Sequence, residues 1–108
     1  MLYYDFEAGN KAYKLRLNTR NIVALEKQLG CNPVAIFGNG DTIPTISTMV
    51  TVLHASLQHF HHGITMDDAY TIFDEYLETH AMTDFIPEIV EIYKVSGIIR
   101  TGETGEKN

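Results

Sequence analysis

Leu2-Tyr-Tyr-Asp-Phe-Glu-Ala-Gly-Asn-Lys-Ala-Tyr-Lys-Leu-Arg-Leu17 is the stretch that decides the fold. Aromatic and aliphatic residues alternate with polar ones on both sides of Gly9-Asn10, with Tyr4 and Phe6 in one arm and Tyr13, Leu15 and Leu17 in the other. A period of two predicts two strands, Leu2 to Ala8 and Lys11 to Leu17. Gly9 and Asn10 supply the positive φ angles that a two-residue turn demands.

Beyond the hairpin the period changes to that of a helix. Asn18-Thr19 offers an N-cap, Ile22, Leu25 and Leu29 recur at helical spacing, and Gly30 closes a helix from Thr19 to Leu29. Asn32-Pro33 opens one short turn through Phe37, ended by Gly38. The connector Gly38-Asn39-Gly40-Asp41 lacks the lysine and the spacing of a phosphate-binding loop. Thr45 caps a second helix, expected to reach Gly63, with Ile46, Met49, Val50, Leu53, Leu57 and Phe60 in one apolar stripe. Thr65 and Asp68 form a capping box for a third helix ending near Thr79. Its expected inner face is Met66, Ala69, Tyr70, Phe73, Tyr76 and Leu77, and its outer face Asp67, Asp74, Glu75 and Glu78. Thr83 or Asp84 is expected to cap a fourth helix from Phe85 to Ser96. The expectation is one α+β domain over residues 1–100, an N-terminal β-hairpin packed on a small bundle of about four helices. Residues 101–108, without an apolar side chain, form a flexible tail.

Composition narrows the function. The chain has 108 residues, of which 44% are hydrophobic and 20% charged, enough apolar material to fold and room for one core. The formal net charge is −6. From Thr65 to Glu91 the acids are Asp67, Asp68, Asp74, Glu75, Glu78, Asp84, Glu88 and Glu91, without a lysine or arginine between them. Nucleic-acid binding needs clustered bases to neutralise phosphates, so DNA or RNA is not the expected partner. No apolar run approaches the roughly 20 residues of a membrane span, and Met1 to Asp5 lacks the pattern of a signal peptide. A reducing cytoplasm suits a chain whose single cysteine is Cys31.

Candidates for chemistry are few. His54, His59, His61, His62 and His80 include no pair at i and i+4, because Gln58 stands four residues after His54. His59 and His62 share a helical spacing but have no thiolate or carboxylate beside them in sequence. No metal and no cofactor is expected, and the histidines suit a helix C-terminus. Nothing around Cys31 marks a reactive thiol, and it reads as a small hydrophobe. Asp67-Asp68 and Asp74-Glu75 are sequence neighbours, so each pair diverges around a helix and cannot act as paired acid and base. The expectation is a non-enzymatic protein. The competing readings are a metal- or ligand-binding regulatory protein using the histidines, and an enzyme built on Cys31.

Tyr13-Lys-Leu-Arg-Leu-Asn-Thr-Arg-Asn-Ile-Val-Ala-Leu-Glu-Lys-Gln-Leu-Gly30, followed by Asn32-Pro33, is similar to the start of tail assembly chaperones from long-tailed phages of Gram-positive hosts. His54-Ala-Ser-Leu-Gln58, Gly63-Ile-Thr65, Asp68-Ala-Tyr-Thr-Ile-Phe-Asp-Glu-Tyr76 and Glu91-Ile-Tyr93 also resemble that family. The resemblance implies a phage or prophage protein, encoded between the tail tube and tape-measure genes. It would bind the tape-measure protein in the host cytoplasm, assist tube polymerisation and be absent from the finished tail. In many members a ribosomal frameshift adds an extension to a minority of copies. Partners so implied are the tape measure, the tail tube protein and further copies of the chain. Ile92, Val95, Ile98 and Ile99 exceed what one small core contact needs and are the expected interface, with Asp74, Glu75 and Glu78 as its charged rim.

Overall fold

The computed structural model describes residues 2–38 and 43–100. The expected tail and most of the glycine connector lie outside the described residues. Strands β1 (Tyr4–Ala8) and β2 (Lys11–Leu15) form an antiparallel hairpin with Phe6 opposite Tyr13 and Ala8 opposite Lys11. Gly9 and Asn10, at φ 57° and 65°, make the turn. Both central residues are left-handed, which matches the twist of the flanking strands.

Helix α1 (Thr19–Leu29) starts where Asn18 accepts the Asn21 N–H, and the Asn21 side chain accepts from the Asn18 N–H in return. It stops at Gly30, φ 74°. A 3₁₀ turn over Pro33–Phe37 follows, then α2 (Ile46–Leu57), α3 (Met66–Tyr76) with the Thr65–Asp68 capping box, and α4 (Phe85–Val95). The fold is α+β, a hairpin followed by four helices, as the sequence pattern implies. No helix among the described residues is long and apolar enough to cross a membrane.

Several boundaries differ from expectation: β1 begins at Tyr4 and not Leu2, β2 ends at Leu15 and not Leu17, and α3 ends at Tyr76, three residues before Thr79. Helix α2 ends at Leu57 and not at Gly63, so His59, His61 and His62 occupy turns after the helix. Neither Thr83 nor Asp84 caps α4 with its side chain. Met82–Asp84 is itself a 3₁₀ turn running into the helix, and the Asp84 carboxylate accepts the Ala81 N–H at 2.9 Å.

Helix α2 is central. It packs against α1, α3, α4 and β2, and Val52, Ala55 and Ser56 are buried as well as the expected Met49, Val50, Leu53 and Leu57. An apolar helix covered on several sides serves as the axis of the fold. At its C-terminal end Ser56 presents its carbonyl to the Arg16 N–H at 2.9 Å, fixing the exit of the hairpin. Phe6 of β1, Phe73 and Tyr76 of α3 and Phe85 of α4 form an aromatic cluster with ring centres 5.3–5.8 Å apart. Such tilted and edge-on pairs add to the area they bury. They lock the hairpin onto α3 and the start of α4.

Candidate functional site

The expected interface at the end of α4 is built differently from its sequence reading. Ile92 is 0% exposed and belongs to the core. Its neighbours follow from the way the helix ends. Gly97 is left-handed, φ 80°, the Gly97 N–H bonds the Lys94 carbonyl, and the Ile98 N–H bonds the Tyr93 carbonyl at 2.9 Å. This double closure turns the apolar residue after the glycine back onto the helix. Ile98 and Ile99 accordingly lie half-buried against the core, and Val95 is also half-buried. Arg16 donates from Nη1 to the Val95 carbonyl at 2.7 Å, and Ser96 Oγ accepts the Leu17 N–H at 2.8 Å. A guanidinium on the last carbonyls also complements the helix dipole. This end of α4 is chiefly a junction that holds the chain together.

Helix α3 shows a second rotation error in the sequence reading. Its buried residues are Ala69, Ile72, Phe73 and Tyr76. Tyr70 and Leu77, expected inside, are 48% and 37% exposed. At about 100° per residue, positions seven apart fall within about 20° of each other, so Tyr70 and Leu77 share one line along the helix. Asp67 and Asp74 occupy the adjoining line, Glu78 lies in the turn just after the helix, and all three are exposed, as expected. None of the three side chains is engaged in a hydrogen bond or ion pair with another described residue. Glu75 is different. It leans toward the hairpin turn, where a Cβ added to Gly9 would come within 2.5 Å of its carboxylate. It also lines two hollows of about 310 and 330 Å³ against the hairpin. Its charge, after burial, raises the Tyr13 hydroxyl above the usual tyrosine value.

Glu88 has an inward role that sequence reading missed. Tyr4 donates to its Oε1 at 2.9 Å, and Tyr76 donates to its Oε2 in a short hydrogen bond. One carboxylate thus joins β1, α3 and α4. Burial first, and Glu88 second, push both tyrosine hydroxyls well above their usual range, so both remain neutral donors. The signal was present: Glu88 stands between Phe85 and Ile92 at i−3 and i+4, on the buried face of its own helix.

The histidines disperse. His61 Nε2 accepts the Lys14 N–H at 3.0 Å and its ring meets Tyr13 edge-on, and burial followed by the Lys14 charge lowers its pKa. His59 Nδ1 accepts from Asn18, and His80 stacks on Tyr76 with ring centres 4.3 Å apart. His54 is half-buried, and no described residue bonds its Nδ1. Among the described residues no three His, Cys, Asp or Glu side chains are grouped as a metal site requires. Cys31, read from the sequence as a small hydrophobe, is exposed. Exposed Phe60 is partly covered, since Tyr3 meets it edge-on at 5.7 Å with the Lys14 ammonium 4.9 Å above the Tyr3 ring. The outward side of α3 leaves Tyr70 and Leu77 exposed near the acids Asp67, Asp74 and Glu78; Leu2, Val23, Val34, Ile43 and Ile46 are exposed elsewhere.

Residues 5–107 match the model of a family described as of unknown function, DUF6096. No curated protein and no solved structure matches the chain.

Proposed function

We propose that this chain, which belongs to the DUF6096 family, is a non-enzymatic tail assembly chaperone that binds a phage tape-measure protein in the host bacterial cytoplasm. The observation that carries the reading is the outer face of α3. Asp68 to Tyr76 is one of the segments that resemble tail assembly chaperones, and most of it has a structural duty: Asp68 caps, Ala69, Ile72, Phe73 and Tyr76 fill the core. Tyr70 and Asp74 have none within the fold, and with Leu77 and Glu78 they present apolar and charged groups side by side. Apolar side chains rimmed by charge are the usual composition of a protein-binding surface.

Binding, and not covalent chemistry, is the activity such a surface performs. In this reading the acidic chain lends charge to the tape measure and covers part of its apolar surface. Co-expression with a tape-measure protein encoded in the same genome is the test. The expected result is tape measure that is soluble and co-purifies with this chain; tape measure that is equally insoluble with and without it would overturn the proposal.

A further inference from the structure

We infer that the outer face of α3 receives a basic amphipathic helix, lying along α3 with apolar residues on Tyr70 and Leu77 and lysines or arginines against Asp67, Asp74 and Glu78. The inference rests on the binding reading above and names the chemistry of its partner. Three observations on α3 support it.

The first is electrostatic. Asp74 lies in the last turn of α3 and Glu78 in the turn that follows it, at the end where the helix dipole favours cations. No basic residue occupies the last turn. Each arrangement costs α3 a little stability, and each becomes favourable when cations are brought alongside. Departures from local helix rules without compensation inside the fold concentrate where a partner acts.

The second is spacing. Tyr70 and Leu77 are two helical turns apart, about 10.5 Å along the axis. A partner helix aligned at a shallow crossing angle presents its own apolar residues at the same seven-residue interval. The helix-in-groove mode of recognition uses anchors spaced in this way.

The third excludes a two-fold pairing of this face with itself. Two copies paired through this face about a two-fold axis would bring Asp67, Asp74 and Glu78 against the same residues of the other, and like charges across an interface are strongly disfavoured. A partner of opposite sign meets the geometry without that penalty.

The probe is a peptide of three heptads, about 21 residues, with leucine at the two seam positions and lysine at the outward ones. Two controls accompany it, one with glutamate for lysine and one with the same composition in scrambled order. Binding is followed by fluorescence anisotropy with the full chain. The expected result is binding of the lysine peptide alone, weakened by salt, and weakened about tenfold or more by Tyr70→Ala with Leu77→Ala. Asp74→Asn with Glu78→Gln should mainly slow association. Phe60→Ala, at an exposed aromatic packed on Tyr3 and His59, should leave affinity unchanged. Circular dichroism and melting of each variant separate loss of binding from loss of fold. Equal affinity of wild type and the folded Tyr70, Leu77 variant would overturn the inference, as would equal binding of the scrambled peptide. Co-expression distinguishes the two proposals. If wild type and the α3 variants all keep the tape measure soluble, the chaperone reading stands and this surface is eliminated; if wild type itself fails, the chaperone reading falls while the peptide measurement still decides the surface.

Discussion

Tyr76 and Tyr70 lie six residues apart on the same helix, each with a carboxylate close by, and they have opposite fates. Tyr76 is buried, packed among Phe6, Phe73 and Phe85, and donates a hydrogen bond to Glu88. Tyr70 is exposed beside an exposed Asp74. On the inner side of α3 the pairing of phenol and carboxylate is consumed by the fold. On the outer side the same chemistry is left available. Residue type alone does not separate a structural tyrosine from a binding one; the rotation of the helix does.

Substitutions on the inner side should have the largest effects. Phe85→Ala removes the ring that meets Phe6, Phe73 and Tyr76, and should cost about 3–5 kcal/mol by chemical denaturation. If it costs no more than a surface change, the aromatic cluster does not hold the hairpin on. Glu88→Ala leaves two tyrosine hydroxyls without their acceptor and should cost about 1–3 kcal/mol, with Glu88→Gln milder because an amide oxygen remains. Burial of the Tyr4 and Tyr76 hydroxyls, and after it their bonds to Glu88, predict an alkaline limit. Raised tyrosine pKa values mean that the stabilisation is complete below about pH 10, the unfolded value, and falls away as pH rises beyond it. A melting temperature in Glu88→Ala that falls as steeply above that pH as in wild type would remove Glu88 from the account.

Gly9→Ala tests the junction between the hairpin and Glu75. It places a side chain at a left-handed φ and against the Glu75 carboxylate, and should cost about 1–2 kcal/mol. Glu75→Ala in the same background should recover part of that loss. A smaller effect is expected at His61. Its pKa is lowered in the fold, so its contribution is complete above about pH 6.5 and is lost as pH falls through the lowered value. Protonation turns the Nε2 acceptor of the Lys14 N–H into a donor. His61→Gln should therefore flatten the decline of melting temperature between about pH 7 and pH 5. The smallest effects belong to the outer side: Tyr70→Ala and Asp74→Asn should each change stability by under about 0.5 kcal/mol. A large loss at either would mean that this face is structural.

Local chemistry explains which features were legible in the sequence. Gly9-Asn10 could only turn, Asn18, Thr45 and Thr65 could only cap, and Gly30 could only end a helix, because each acts through its own backbone neighbours. The fold class followed from those signals. Features set by distant partners were not legible. Helix α2 ends six residues before Gly63, and Ser56, at its end, takes the Arg16 N–H from the hairpin. Tyr70 and Leu77 are apolar enough to have been placed inside, but Ile72 fills that position in the packed bundle. Ile92 read as surplus because the apolar residues of α4 outnumber one helix face. The hairpin, α2 and the 3₁₀ turn at Pro33 surround that helix on more than one side, and Tyr93 reaches the Pro33 carbonyl at 3.0 Å. Of the candidate surface, its acids Asp74 and Glu78 were legible as exposed; its apolar partners were not.

Arg16 bonds the carbonyl of Val95 and also that of Leu2, which has a consequence for the order in which the molecule assembles. The hairpin pairs near neighbours and can close within microseconds of being made, but its inward face is covered in stages, by α2, then α3, and last by α4. In a chain growing from the ribosome by about 5–20 residues each second, the first element to form thus waits several seconds for the last. During that interval the apolar face of the hairpin is covered only in part. The Arg16 side chain then joins both ends of the described chain in one step, so that completion of the fold awaits the final helix.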